Sequence, residues 1–187
     1  MRIQGKKLKQ RAQQAGITPE QLAQAIADEN LKVDRALSAV NNWMVGRDHP
    51  RCKAPMISKM AGVLGCEAKD IAAFTSKVNG HRGSPRKAGL IAGLIRGKDV
   101  IAAQDLLNFN TKKAAVNFKK ALNAAITDAE QAGADTTQLF VSESRVDNGP
   151  VIKRFQPKDR GRAHQILKPL AHITISVEER SAKAGAR

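Results

Sequence analysis

The feature that most constrains this chain is a densely basic segment between two strand-like stretches. Residues 153–168 read KRFQPKDRGRAHQILK and contain six Lys or Arg side chains and one acidic residue. Apolar residues alternate with polar ones from Leu139 before it, and they keep a strict two-residue period from Ile173 to Val177 after it. This alternation is typical of half-buried strands. The pattern predicts two strands that present a basic loop.

A charge run of this kind is usually a solvated face or a disordered tail. A disordered tail, however, would have no need of a strand on either side. Because like charges at this density repel one another, the segment is stable in one place only where an acidic surface such as a phosphate backbone surrounds it. We therefore interpret residues 153–168 as a loop that penetrates RNA.

The composition of the whole chain favours the same kind of partner. Its 187 residues include 32 Lys and Arg against 17 Asp and Glu, a net charge of +15 at pH 7, which favours a polyanion. Aromatic residues make up only 3%, so binding is expected to depend on phosphate contacts and shape more than on base stacking. With two cysteines and no long apolar run or signal sequence, the chain is expected to be cytoplasmic and without disulfides.

The sequence divides near residue 80, where a polar stretch with two glycines separates two helix-rich regions. The first region carries clear helix signals: a basic helix ends at Gly16, and Thr18 is an N-cap followed by Pro19 and by Gln21 at the capping-box position. Several short helices joined by tight turns indicate a helix-turn-helix bundle. The predicted domains are an all-α domain over 1–74, a linker over 75–83, an RNA-binding domain over 84–180 with a hairpin over about 148–168, and a basic tail over 181–187.

Three segments of the first domain, ITPEQLAQAIA, AVNNWMVGRDHP and APMISKMAGVLGCEAKDI, resemble the phage-repressor/Cro type of helix-turn-helix domain over roughly residues 5–74. In that family the third helix enters the major groove of DNA, and its polar side chains read base edges. The resemblance implies a DNA-binding transcriptional regulator as the alternative function. Such a regulator would be expected to dimerise and to carry polar readers on its third helix.

Two departures from that family argue against base reading. Residues 28–34 lengthen the turn before the third helix, and Ala36, Leu37 and Ala39 stand where polar readers are expected. Trp43 takes the position of a core aromatic residue and is expected to be packed. The candidates for nucleic-acid contact in this domain are Lys6, Lys7, Arg35, Asn41, Asn42, Arg47 and Arg51.

The second half resembles a different family over nearly the whole of that family's length. The motifs SPRKA at 84–88, IRGK at 95–98, DNGP at 147–150, RGRA at 160–163 and HIT at 172–174 follow the order found in bacterial large-subunit ribosomal protein number twenty-two. The resemblance implies an α+β domain in which three helices pack on a three-stranded antiparallel sheet. It also implies that a long basic hairpin extends into large-subunit ribosomal RNA, with its tip at the nascent-peptide exit tunnel.

The resemblance further implies a structural protein of the cytoplasmic ribosome whose partners are large-subunit ribosomal RNA, neighbouring ribosomal proteins and the nascent peptide, with no membrane partner and no role for DNA. That family usually opens with a strand before SPRKA, where this chain has KVNGHRG, so the first strand is expected to be short, shifted or replaced. The candidate RNA-binding residues are Arg82, Ser84, Arg86, Lys87, Lys98, Lys112, Lys113, Lys153, Arg154, Phe155, Lys158, Arg160, Gly161, Arg162, His164, Lys168 and His172.

Sequence patterns for catalysis and metal binding are absent. The chain has no Walker-type phosphate loop, no nucleophile elbow and no paired carboxylates in a setting that would shift their pKa values. His49, Cys52 and Cys66 are conceivable zinc ligands, but a fourth ligand and paired CxxC spacing are missing. We therefore predict no enzyme activity, no metal and no cofactor.

Overall fold

The computed structural model of the protein describes residues 1–27 and 32–180. The chain divides into two compact units, one formed by Met1–Phe74 with Asp128–Ala134 and one formed by Thr75–Thr127 with the chain from Asp135 onward. Most of the lengthened turn predicted over residues 28–34, and the basic tail predicted over 181–187, lie outside the described residues.

The described chain is a mixture of helices and one antiparallel sheet whose strands have the order β1-β2-β4-β3. No helix in this part of the chain is both long and apolar enough to cross a membrane. The elements, in chain order, are β1 (Arg2–Ile3), α1 (Gly5–Ala15), α2 (Pro19–Ile26), α3 (Val33–Met44), α4 (Ala54–Leu64), α5 (Ala68–Ile71), β2 (Ala72–Arg82), α6 (Pro85–Ile95), α7 (Val100–Phe109), α8 (Lys113–Gln131), a 3-10 turn (Thr136–Gln138), β3 (Leu139–Pro157) and β4 (Ala163–Glu179).

The helix boundaries of the first unit follow local signals. At the start of α2, Gln21 N–H donates to Thr18 Oγ1 at 3.4 Å and Thr18 N–H donates to Gln21 Oε1 at 3.0 Å, which completes the predicted capping box. Helix α1 ends at Gly16, whose φ of 66° is the left-handed conformation that glycine adopts at low cost. These two predictions from sequence are confirmed.

The first unit has its own apolar core, and Trp43 lies within it. The indole Nε1–H of Trp43 donates to the carbonyl oxygen of Pro50 at 2.6 Å, which satisfies its polar atom. Gly5 permits the close approach of α1 to α3, because a Cβ at that position would overlap the carbonyl oxygen of Trp43. The buried residues of this core are Ile3, Leu8, Ala12, Leu22, Ala23, Ile26, Ala36, Ala39, Val40, Trp43, Cys52, Ile57, Met60, Ala61, Leu64, Ile71 and Ala72.

The structure corrects the predicted surface of α3. Ala36 and Ala39 are fully buried and Leu37 is half-buried, so they do not form the exposed apolar surface inferred from their positions. The small side chains of Ala36 and Ala39 let α3 pack closely against α2. The exposed side of α3 instead carries Arg35 and Asn41.

In the second unit, Ser84 is the N-cap of α6 and Pro85 is its first residue, as the sequence predicts. The buried stripe of α6 consists of Ala88, Ile91, Ala92 and Ile95. The sequence of α6 predicts one apolar face made of Leu90, Ile91, Leu94 and Ile95, but Leu90 and Leu94 are 64% and 40% exposed. The prediction was wrong for these two leucines, because a helix with two adjacent apolar stripes can bury only the one that meets its neighbour.

The segment predicted as a linker over 75–83 is mostly strand. Residues 72–82 form β2, which is eleven residues long, so of the three alternatives predicted for the first strand, a short strand and a replaced strand were wrong. Polar contacts join β2 to β4: Thr75 Oγ1 lies 2.8 Å from Ser176 Oγ, and Gly80 N–H donates to His172 Nδ1 at 3.2 Å. These partners are about a hundred residues away in sequence, so the local pattern gives no sign of them.

The hairpin bends where it leaves the core. The register moves from Asn148↔Ala171 to Val151↔Pro169, which places one extra residue on β3 and forms a β-bulge that increases twist. A Cβ on Gly149 would lie 3.1 Å from His172 Nε2 and from Leu170, so glycine fits this close approach. The DNGP motif therefore marks the bend of the hairpin.

Candidate nucleic-acid interface

The outer part of the β3–β4 hairpin lies entirely outside the core. Its strands remain paired up to Pro157↔Ala163, yet none of residues 149–170 is buried. Phe155 is 75% exposed. The six basic residues predicted here form no ion pair within residues 1–27 and 32–180. The hairpin thus carries a row of cations that no described acidic group neutralises.

The tip of the hairpin is a compact turn. Lys158 N–H donates to the carbonyl oxygen of Arg162 at 2.7 Å, and Arg162 N–H donates to that of Asp159 at 3.2 Å. Arg160 and Gly161 have φ values of 54° and 69°. The left-handed conformation is uncommon for a residue with a side chain, and Arg160 is exposed at the middle of the turn.

A cavity of about 590 Å³ lies at the base of the hairpin. It brings together Arg82 and Ser84, at the junction of β2 and α6, with Arg154 and Lys168 of the hairpin. Apolar side chains, among them Leu167 with 57% exposure, form the rest of its lining. Three cations around an apolar hollow suit a phosphate group and the sugar attached to it.

The remaining candidate residues of the second unit lie elsewhere on its surface. Arg86 and Lys87 are exposed in the first turn of α6, and Lys98 is exposed in the turn before α7. Lys112 and Lys113 are exposed where α8 begins. His172 is half-buried and its Nδ1 accepts the hydrogen bond from Gly80, so its ring also has a structural contact within the sheet.

The candidates of the first unit do not gather at one point. Arg35 and Asn41 are exposed on α3, and Arg47 and Arg51 are exposed in the connection between α3 and α4. Asn42 is half-buried, and its amide donates to the carbonyl oxygen of His49 at 3.1 Å. On α1, Lys6 is exposed and Lys7 is half-buried.

Three residues of interest were missed by the sequence interpretation. Phe109 at the end of α7 is 88% exposed, and it was visible in the sequence as an aromatic residue among polar ones.

The other two residues form a hydrogen-bonded pair. His81 is 6% exposed, and Asn117 Nδ2 donates to its Nδ1 at 2.7 Å. Burial lowers the pKa of His81, and the charge of Lys113 acts in the same direction. This pair depends on the packing of β2 near α8, which no local pattern reveals.

His49, Cys52 and Cys66, the zinc ligands considered from the sequence, do not form a metal-binding group in the described residues. Among residues 1–27 and 32–180, no three His, Cys, Asp or Glu side chains form a group that could hold a metal ion. Cys52 is buried and Cys66 is half-buried, and both thiols are free. Burial raises the pKa of the Cys52 thiol to about 12, and the charge of Asp48 acts in the same direction.

This pKa predicts that Cys52 is unreactive in the native protein. Since the thiolate is the reacting form, a pKa about three units above the ordinary value lowers the rate of alkylation about a thousandfold. We expect iodoacetamide at pH 8 to label Cys66 first and to label Cys52 only after unfolding in urea, as measured by mass spectrometry of the peptides. Equal labelling of Cys52 in native and unfolded protein would contradict the prediction.

An α+β unit with a long, unneutralised basic hairpin is typical of a protein that binds a nucleic-acid backbone. Comparison with known proteins specifies the class further. The family model described as Ribosomal protein L22p/L17e matches residues 76–178. The Large ribosomal subunit protein uL22 of Mycoplasmopsis agalactiae is 49% identical over 101 residues, which cover 54% of this chain and 89% of that protein.

The chain belongs to the Ribosomal protein L22p/L17e family. It is therefore a structural, non-enzymatic constituent of the large subunit of the cytoplasmic ribosome, and its partners are large-subunit ribosomal RNA and other ribosomal proteins. These findings confirm the ribosomal function predicted from sequence and give no support to the alternative of a transcriptional regulator. The matched residues begin within β2, so residues 1–75 lie outside the family match.

Proposed function

We propose that the hairpin over residues 148–168 penetrates large-subunit ribosomal RNA and that its tip lines the nascent-peptide exit tunnel. The observation that carries the proposal is a paired hairpin with six unneutralised cations and no buried residue between 149 and 170. Ten residues of strand, from Asn148 to Pro157, rise roughly 33 Å. The outer hairpin contributes no buried residue to its own unit. Its length and its positive charge suit a narrow channel with phosphate walls.

Photochemical cross-linking tests the tunnel assignment. A photoreactive amino acid at Arg160, in the middle of the turn at the tip, is expected to cross-link to the nascent peptide in stalled ribosomes. The matched control places the same amino acid at Val151, which is 47% exposed but lies at the base of the hairpin, and it should cross-link to RNA alone. Cross-links from both positions to RNA only would contradict the tunnel assignment and leave the binding of RNA intact.

We also infer that the predicted domain 1–74 has the helix-turn-helix arrangement and docks either on ribosomal RNA, through phosphate contacts, or on a neighbouring subunit. Packing of α2 against α3 supports the arrangement. The exposed cations Arg35, Arg47 and Arg51 support the docking, since Lys and Arg side chains without a fixed set of base readers bind any phosphate backbone.

A further inference from the structure

The second unit contains a cavity of about 460 Å³ lined by β2 and by the first turns of α8. Its volume falls within the roughly 300–1,000 Å³ that is typical of ligand sites. Val78 and Val116 supply its apolar surface, and Val116 is 58% exposed, so the cavity is open to solvent. The space is large enough for one nucleotide but too small for a protein interface of ordinary size.

A polar pair, in which His81 is buried and Asn117 is half-buried, forms part of the wall. Because the Asn117 amide donates to Nδ1 of His81 at 2.7 Å, the imidazole proton is on Nε2. Burial of a polar group such as the His81 imidazole costs stability compared with an apolar residue of the same shape, unless it is hydrogen-bonded. The hydrogen bond to His81 holds the half-buried amide of Asn117 at a fixed position in the cavity wall, within reach of the edge of a ligand.

The charge around the cavity selects the class of ligand. Arg82 and Lys113 line it and are exposed. Asn79 adds an exposed amide, and no described residue of the lining is acidic. Two cations suit a phosphate, two valines suit the flat face of a base, and amide and imidazole groups suit its polar edge. An acidic peptide would satisfy the cations but would leave the apolar surface and the polar pair without partners.

We propose that this cavity receives one unpaired nucleotide of large-subunit ribosomal RNA, with the phosphate at Arg82 and Lys113 and the base between the valines and Asn117. The proposal rests on the ribosomal function of the family, because that function supplies the RNA. It adds a site for an extruded base that shares Arg82 with the hairpin cavity but is otherwise lined by other residues. Sequence-specific recognition of RNA depends mainly on such unstacked bases.

The test uses large subunits purified from cells in which a variant replaces the natural chain. Val116→Trp fills the cavity, and its matched control is Ile101→Trp, because Ile101 is also 58% exposed but does not line the cavity. A second variant, His81→Leu with Asn117→Leu, removes both members of the polar pair together, since loss of only one would leave the other unsatisfied. Dimethyl sulfate and a ribose-acylating reagent then report the reactivity of every RNA nucleotide.

In wild-type subunits we expect one unpaired nucleotide to be protected, and in both cavity variants its reactivity should rise about tenfold, as expected for loss of a base contact. The Ile101→Trp subunits should match the wild type. Unchanged reactivity in cavity variants that are present at one copy per subunit would overturn the proposal and leave the ribosomal function untouched. An equal change with Ile101→Trp would overturn it as well. Failure of the ribosomal function itself would appear separately, as absence of the wild-type chain from the subunit.

Discussion

Replacement of Lys153–Leu167 by Asn-Gly is expected to abolish incorporation of the protein into the large subunit while the rest of the chain stays folded. Ile152 and Lys168 face each other in the β3–β4 register, so a two-residue Asn-Gly turn closes the shortened hairpin without a change of register. None of the removed residues is buried. The free energy of unfolding should therefore change by less than about 1 kcal/mol, as measured by urea unfolding followed by circular dichroism.

The loss of binding follows from the removed charges. The variant lacks five cations, and each cation that contacts a phosphate contributes about 0.7 to 0.9 to the slope of log affinity against log salt. Between 50 and 200 mM salt, the affinity of the wild type for large-subunit RNA should therefore fall at least about a hundredfold more than that of the variant. Filter binding measures this difference, and sedimentation of lysates measures incorporation.

A length-matched control separates charge from shape. It keeps the hairpin but replaces the same five cations, Lys153, Arg154, Lys158, Arg160 and Arg162, by Gln. If phosphate contacts dominate, this variant should lose nearly as much affinity as the shortened one. Full retention of the shortened chain in subunits after a salt wash that the wild type survives would refute the role assigned to the hairpin.

Several elements of the fold were predictable because their causes are local. The capping box of α2 needs only Thr18 and Gln21, and the end of α1 needs only Gly16. The hairpin was predictable for a related reason: apolar residues at every second position face the helices, while the basic end has nothing to bury. Each of these signals lies within a few residues of the structure it determines.

Other elements were not predictable because their causes are distant in sequence. The polar residues of β2 form a strand only in contact with β4, through pairs such as Thr75 with Ser176. Strand formation depends on such neighbours more than on the intrinsic preference of a segment. The hydrogen bond between His81 and Asn117 has the same origin. At the interface, the sequence names candidate cations but does not show which of them share a cavity, because Arg82, Arg154 and Lys168 are distant along the chain.

The error on α3 is instructive for the function of the first unit. Ala36 and Ala39 stand at positions that a comparison with repressors assigned to base reading, yet they are buried in the core. The exposed side of the helix is more polar than the sequence indicated, since it carries Arg35, Ser38 and Asn41. This helix therefore presents no apolar surface that would by itself exclude base reading, and an experiment has to distinguish phosphate contact from base contact.

In the chain with the shortened hairpin, replacement of five exposed cations of the first unit by Gln is expected to weaken binding to duplex RNA and duplex DNA alike. At 50 mM salt the loss should be at least about a hundredfold, because each phosphate contact releases counterions. The chain with the shortened hairpin and all five cations in place should bind random duplexes of RNA and DNA with similar affinity. That affinity should depend steeply on salt. Filter binding of both duplexes across a salt series measures these values. The five residues are Lys6, Lys9, Arg35, Arg47 and Arg51.

Asn41→Ala is the control for base reading, because Asn41 is exposed on the same helix as Arg35 but carries no charge. An asparagine that reads a base contributes about 1–3 kcal/mol to discrimination, whereas one outside the contact leaves every affinity within about twofold of the wild type. We expect the second result, together with no enrichment from a library of random duplexes. A selected sequence bound roughly a thousandfold more tightly than the rest, and weakened by Asn41→Ala, would instead identify the first unit as a sequence-specific DNA reader attached to a ribosomal protein.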